Sequence, residues 1–110
     1  MFKLVRDRVP ELIKNSGQVC NYAEAKNNEL FVDLLHAKLV EEVNEFLMSG
    51  SVDELVDILL VVETLAETTG NSKEQFEKLC ADKIVERGKF ENKYIIFLPD
   101  QAQQGSTGTN

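Results

Sequence analysis

The stretch that most limits how this chain can fold is residues 52–69, Val-Asp-Glu-Leu-Val-Asp-Ile-Leu-Leu-Val-Val-Glu-Thr-Leu-Ala-Glu-Thr-Thr. Ser51-x-x-Glu54 ahead of it has the pattern of a capping box, and Gly70 behind it is a stop. Leu55, Val56, Ile58 to Val62 and Leu65 lie nearly all the way round such a helix. A helix that is apolar on almost every side is buried on most of them. A 110-residue chain with few other helices can hardly surround one. The sequence therefore predicts a homo-oligomer, a dimer or tetramer, whose subunits share this helix.

Asp57 breaks the apolar run. At about 100° per residue, Glu54 and Asp57 head the same side as Ile58, Val61 and Leu65. A carboxylate on an apolar side loses part of its water, which is costly unless it is paired or bound to a metal. Just upstream stands Glu41-Glu42-x-x-Glu45, with only a short turn at Ser49-Gly50 between. Carboxylates three or four apart share a helix face, so the two pairs can converge on one acidic pocket. Held close, they repel unless a cation neutralises them. Hard oxygen ligands suit Mg2+, Mn2+ or Ca2+. The plainer alternative makes Lys38, Glu41, Glu42 and Glu45 a solvated stripe opposite Leu39, Val40, Val43, Phe46 and Leu47, with Glu54 serving as a cap.

The rest of the chain reads as helices closed by capping signals. Pro10 suits a first turn, so a short helix is expected from Val9 to about Asn15, ended by Ser16-Gly17. A long one runs from about Glu29 to Met48. After Gly70, Ser72-x-x-Gln75 opens a helix that reaches about Arg87 and stops at Gly88. On it Lys83 and Arg87 continue the stripe of Phe76, Leu79 and Cys80, which aims them into a cleft or leaves them complementing the helix C-terminus. Tyr94-Ile-Ile-Phe-Leu98 looks like a strand that can pair with the extended piece at residues 18–24 as a small ribbon. The fold class is all-α, a bundle of about four helices in a single domain over residues 1–98. Residues 99–110 read as a polar, disordered tail.

Composition bounds the function. The 19 acidic and 12 basic residues give a net charge of −7, which argues against a nucleic-acid surface. The only histidine is His36, and Cys20 and Cys80 form no Cys-x-x-Cys, so a zinc site is not expected. The N-terminus has no apolar core of signal-peptide length, and Ile58 to Val62 is too short to span a membrane. A cytoplasmic protein with no membrane partner is the expectation.

Four features recur together: Lys3-Leu-Val-Arg-Asp-Arg-Val-Pro-Glu-Leu-Ile, Glu-Glu-x-x-Glu at 41–45, Glu-x-x-Asp at 54–57, and Lys83-x-x-x-Arg87-Gly-x-Phe90. In this order the chain resembles the MazG-type all-α nucleoside triphosphate pyrophosphohydrolases, in the branch similar to phosphoribosyl-ATP pyrophosphohydrolase. The resemblance covers residues 3–90. It implies a helical fold in which two subunits usually form the site, and Mg2+ held by Glu42, Glu45, Glu54 and Asp57. It also implies hydrolysis of a nucleoside triphosphate to monophosphate and pyrophosphate, in a house-cleaning role toward non-standard or damaged nucleotides. Relatives often carry Gly-Gly where this chain has Gly88-Lys89.

The residues suggest roles within that chemistry. Metal ions at the carboxylates would neutralise charge developing on the phosphates. Glu41 is the candidate to orient water or take its proton. Lys83 and Arg87, with Arg6 and Lys38, are the candidate phosphate ligands. Phe31, His36 and Asn71 are candidates for the base, although His36 is more simply a packed histidine. The competing functions are phosphoribosyl-ATP hydrolysis and a non-catalytic helical module that binds nucleotides or partners.

Overall fold

The computed structural model describes residues 3–99. Four helices follow in chain order: α1 Val9–Asn15, α2 Asn28–Ser49, α3 Val52–Thr68 and α4 Lys73–Arg87. Their ends are where the capping residues place them. The Asn27 side chain accepts from the Leu30 backbone N–H at 2.8 Å. Gly50 closes α2 in the left-handed region at φ 67°, donating to the Phe46 carbonyl. Ser72 and Gln75 form a complete reciprocal capping box on α4, satisfying two otherwise orphaned N–H groups.

Only Gly50 and Ser51 separate α2 from α3, so the two helices fold back as an antiparallel hairpin, packed side by side. The next helix, α4, packs on α3 alone. Residues 4–7 lie along the groove of the hairpin and help to wall a cavity there. The core is small. Among the described residues only Leu35 on α2 and Val61 on α3 are fully buried hydrophobics.

α2 covers only part of the face its apolar residues suggest: Leu39, Val43 and Phe46 are half-buried. Lys38 and Glu42 turn inward toward the groove with Phe31 and Leu35, while Val40, Leu47 and Met48 stand 60%, 73% and 89% exposed. Of the stripe that reads as an ordinary solvated face, Glu42 is buried and Lys38, Glu41 and Glu45 are half-buried. α3 follows expectation on its inner side: Glu54, Asp57, Ile58, Val61 and Leu65 are all at least half-buried. Its other faces leave Val52, Leu55, Val56 and Leu59 exposed.

The β-ribbon does not form. Residues 18–24 and 94–98 carry no strand, and no strand occurs among the described residues. Tyr94, Ile95, Ile96 and Phe97 are each more than three-quarters exposed. A lone two-stranded ribbon is marginal without a layer to pack on, and no helix lies beneath this run. The disordered tail expected from Pro99 onward lies outside the described residues beyond that proline. No helix among the described residues is long and apolar enough to cross a membrane.

Candidate metal centre and cleft

Glu42, Glu54 and Asp57 each bring one carboxylate oxygen to within 4.8 Å of the others. α2 supplies the first and α3 the other two, across the Gly50-Ser51 turn. Glu54 is released for this by its surroundings. The Ser51 hydroxyl caps α3 by accepting from the Asp53 N–H, but the Ser51 N–H donates to Ser49 Oγ rather than to Glu54. Ser49 Oγ in turn donates to Glu54 Oε1 at 3.3 Å. The capping box read from Ser51-x-x-Glu54 is thus only half built, and the Glu54 carboxylate turns to the cluster.

Glu42 is the deepest of the three, 6% exposed. Its Oε1 is fully enclosed and has no hydrogen-bond partner. Its other oxygen has only the Lys38 ammonium, at 3.6 Å. Burial pushes the Glu42 carboxyl above the ordinary glutamate range; Glu45, Asp57 and Glu41 add to this, and Lys38 opposes it. An enclosed carboxylate oxygen without a donor is costly. The three convergent oxygens with one unsatisfied lone-pair site fit a hard divalent cation. Glu45, the expected fourth ligand, is close enough to Glu42 to bear on its charge, but it is not in the group of three.

Cations of the chain crowd the same place. Arg6 Nη2 is 3.2 Å from Asp57 Oδ1. Lys3 Nζ donates to Glu41 at 3.2 Å and Lys38 to the same carboxylate at 3.5 Å. Desolvation is the largest single influence on Glu41 and opposes its ionisation, yet the two lysines together outweigh it and lower its pKa. Two cations on the carboxylate reduce its basicity, so holding a group in place suits Glu41 better than taking up a proton.

Beside the cluster opens a cleft of about 390 Å³, within the ordinary range for small-molecule sites. Arg6, Lys38, Glu42 and Asp57 line one end, and Phe31, Thr64 and Glu67 line it further from the turn. Of the residues expected at the phosphates, Arg6 and Lys38 are present. Lys83 and Arg87 are exposed on α4 and line neither cavity; Arg87 pairs with Glu86 at 3.2 Å. His36 is exposed rather than packed, because Leu35 takes the inward position beside it. Asn71 lines a small adjoining recess that shares Glu63 and Glu67 with the main cleft. Those two glutamates were not singled out in the sequence; their i, i+4 spacing on the helix that carries Asp57 is the signal that marks them. No family model, curated protein or solved structure matches the chain.

Proposed function

We propose that this protein hydrolyses a nucleoside triphosphate to the monophosphate and pyrophosphate, with Mg2+ or Mn2+ held by Glu42, Glu54 and Asp57. Glu45, whose charge already bears on Glu42, is the candidate fourth ligand. The observation that carries the reading is the enclosed, unpartnered Glu42 oxygen within a three-carboxylate group at the end of a cleft. A solvated acidic stripe has no reason to bury such an atom.

The metal would supply charge neutralisation at the phosphoanhydride and a more acidic water. The chain's own residues supply the rest. Arg6 and Lys38 sit where phosphate oxygens would reach them, each already balanced on a carboxylate that a metal would occupy. Glu41, gripped by Lys3 and Lys38, orients the attacking water. Phosphoryl transfer of this kind depends on positioning and electrostatics and needs no protein nucleophile. Lys83 and Arg87 would act from a neighbouring subunit.

The neighbour is a second copy of this chain. Val40, Leu47 and Met48 on α2 and Val52, Leu55, Val56 and Leu59 on α3 flank the same turn and are all exposed. Exposed apolar side chains on both helices of the hairpin are what an interface between subunits would cover. The same α3 has an apolar circumference that one chain does not cover.

The test is pyrophosphate and monophosphate release from a panel of standard, deoxy and damaged triphosphates with Mg2+, and its loss on chelation. Absence of release from every member, together with no Mn2+ binding to the protein alone, would refute the reading.

A further inference from the structure

We infer that residues 3–8 form a strap along the cleft, latched to carboxylates of the candidate metal centre and its neighbour Glu41, and that divalent-ion binding unlatches it. The inference rests on the metal site proposed above.

The strap has few other ties. Among the described residues its backbone bonds only to α1, through the Arg6 and Arg8 carbonyls. α1 packs against no other helix and has no fully buried residue. Leu4 is half-buried, while Val5, Arg6 and Asp7 are exposed, and all four line the cleft. The polar ties to the hairpin are two ion pairs. Lys3 Nζ donates to Glu41 on α2 at 3.2 Å, and Arg6 Nη2 lies 3.2 Å from Asp57 Oδ1 on α3. The ion pairs of Arg8, Lys38 and Lys78 stay within about one helical turn. Those of Lys3 and Arg6 cross from the N-terminal segment to the hairpin.

The two latches differ in what they hold. Asp57 belongs to the group of three convergent carboxylates and Glu41 does not. A divalent ion in that group takes up lone pairs that Arg6 now faces and sets two positive charges beside the guanidinium. The Arg6 latch therefore opposes the ion, and the Lys3 latch is left in place. The Arg6 side chain is 65% exposed, so water can solvate it once it lets go. An exposed pair of this kind shifts an equilibrium by up to about fivefold, little enough for an ion to reverse. By linkage, the factor by which the ion favours the open strap equals the factor by which the closed strap weakens the ion. The metal-free chain thus keeps Arg6 neutralised on Asp57, and loading the metal frees that cation at the mouth of the cleft.

Trypsin cutting after Arg6 and Arg8, followed by mass spectrometry on the full chain, tests this, because cleavage tracks the population of the accessible form. Cutting there should be about two- to fivefold faster in Mg2+ than in chelator, with cutting after Lys78 on α4 as the unchanged internal reference. Lys3→Gln should raise cutting in both conditions and keep the Mg2+ response, since its latch is on Glu41. In Arg6→Ala, cutting after Arg8 should be equally fast with and without Mg2+. Circular dichroism melting checks the fold of each variant, and Mn2+ binding to the wild type is measured in parallel by electron paramagnetic resonance. Equal or slower cutting of the wild type in Mg2+ while Mn2+ binds, or a Mg2+ response that survives Arg6→Ala, overturns the strap and leaves the metal centre standing. Absence of Mn2+ binding overturns both.

Discussion

Arg6 places its guanidinium 3.2 Å from the Asp57 carboxylate, so one residue of the proposed metal set is already neutralised by the segment that walls the cleft. The Asp57 side chain is 24% exposed and that of Arg6 65%. The pair is therefore half in water, and its contribution to stability is of the surface kind, about 0.2–1 kcal/mol. Its larger effect is competition, because Arg6 and a divalent ion want the same oxygens.

Replacing Arg6 by Ala removes that competitor. Mn2+ titration followed by electron paramagnetic resonance should show binding several-fold tighter than in the wild type. Triphosphate KM should rise, since a phosphate ligand is lost with it. Unchanged metal affinity would mean that Arg6 does not guard Asp57.

Asp57→Asn keeps the shape of the side chain and removes its charge. Metal-dependent pyrophosphate release should fall by more than about a hundredfold, since even outer-shell partners of metal ligands cost 10–100-fold. The far-ultraviolet dichroism should be unchanged. Full turnover in this variant excludes Asp57 as a ligand.

Glu42 sets a pH dependence in the metal-free protein. Its folded pKa is raised above the unfolded value, so in that window the folded state binds more protons than the unfolded state. Stability then falls as pH rises from the ordinary glutamate range toward the raised folded pKa, and it stays lower above that. Glu42→Gln should flatten this slope and raise the metal-free melting temperature at neutral pH, while abolishing the rise that Mg2+ gives the wild type. Melting curves from pH 4 to 8, with chelator and with Mg2+, read both effects.

The exposed apolar side chains around the hairpin turn predict an assembly. Sedimentation velocity should give the wild type two or four times the 12.4 kDa chain mass. Leu55→Lys with Leu59→Lys should shift it to the monomer, because charge on both residues cannot be buried in the interface. A wild type that sediments as a monomer at micromolar concentration disproves the assembly.

Gly50→Ala isolates a backbone effect. A methyl group there would meet nothing within 4 Å, so the cost is that of holding a Cβ at φ 67°, about 1 kcal/mol. Urea denaturation should show the midpoint lowered with the slope unchanged.

The helix boundaries were legible because they rest on local chemistry. Pro10, Gly50, Ser72 and Gln75 act within one turn of themselves, and their consequences are visible in the string. Asp57 was legible for a similar reason, as a charge interrupting an apolar face. What failed depends on distant partners. Tyr94 to Leu98 has the composition of a strand, but strands are pairings, and nothing in the described chain pairs with it. The inward turn of Lys38 and Glu42 was obscured because periodicity shows two faces of α2 without saying which one meets α3. Glu54 was ambiguous between cap and cluster, and Ser49 decided it by supplying Ser51 with an alternative acceptor.

The Gly50-Ser51 link has a consequence for how the molecule comes together. Glu42, Glu54 and Asp57 all lie within one helical hairpin, so the loop to be closed in bringing them together is short and its entropic cost small. Their mutual repulsion is therefore met as soon as the hairpin closes. A divalent ion bound there as proposed would relieve that repulsion while the hairpin forms, and so take part in folding as well as in chemistry.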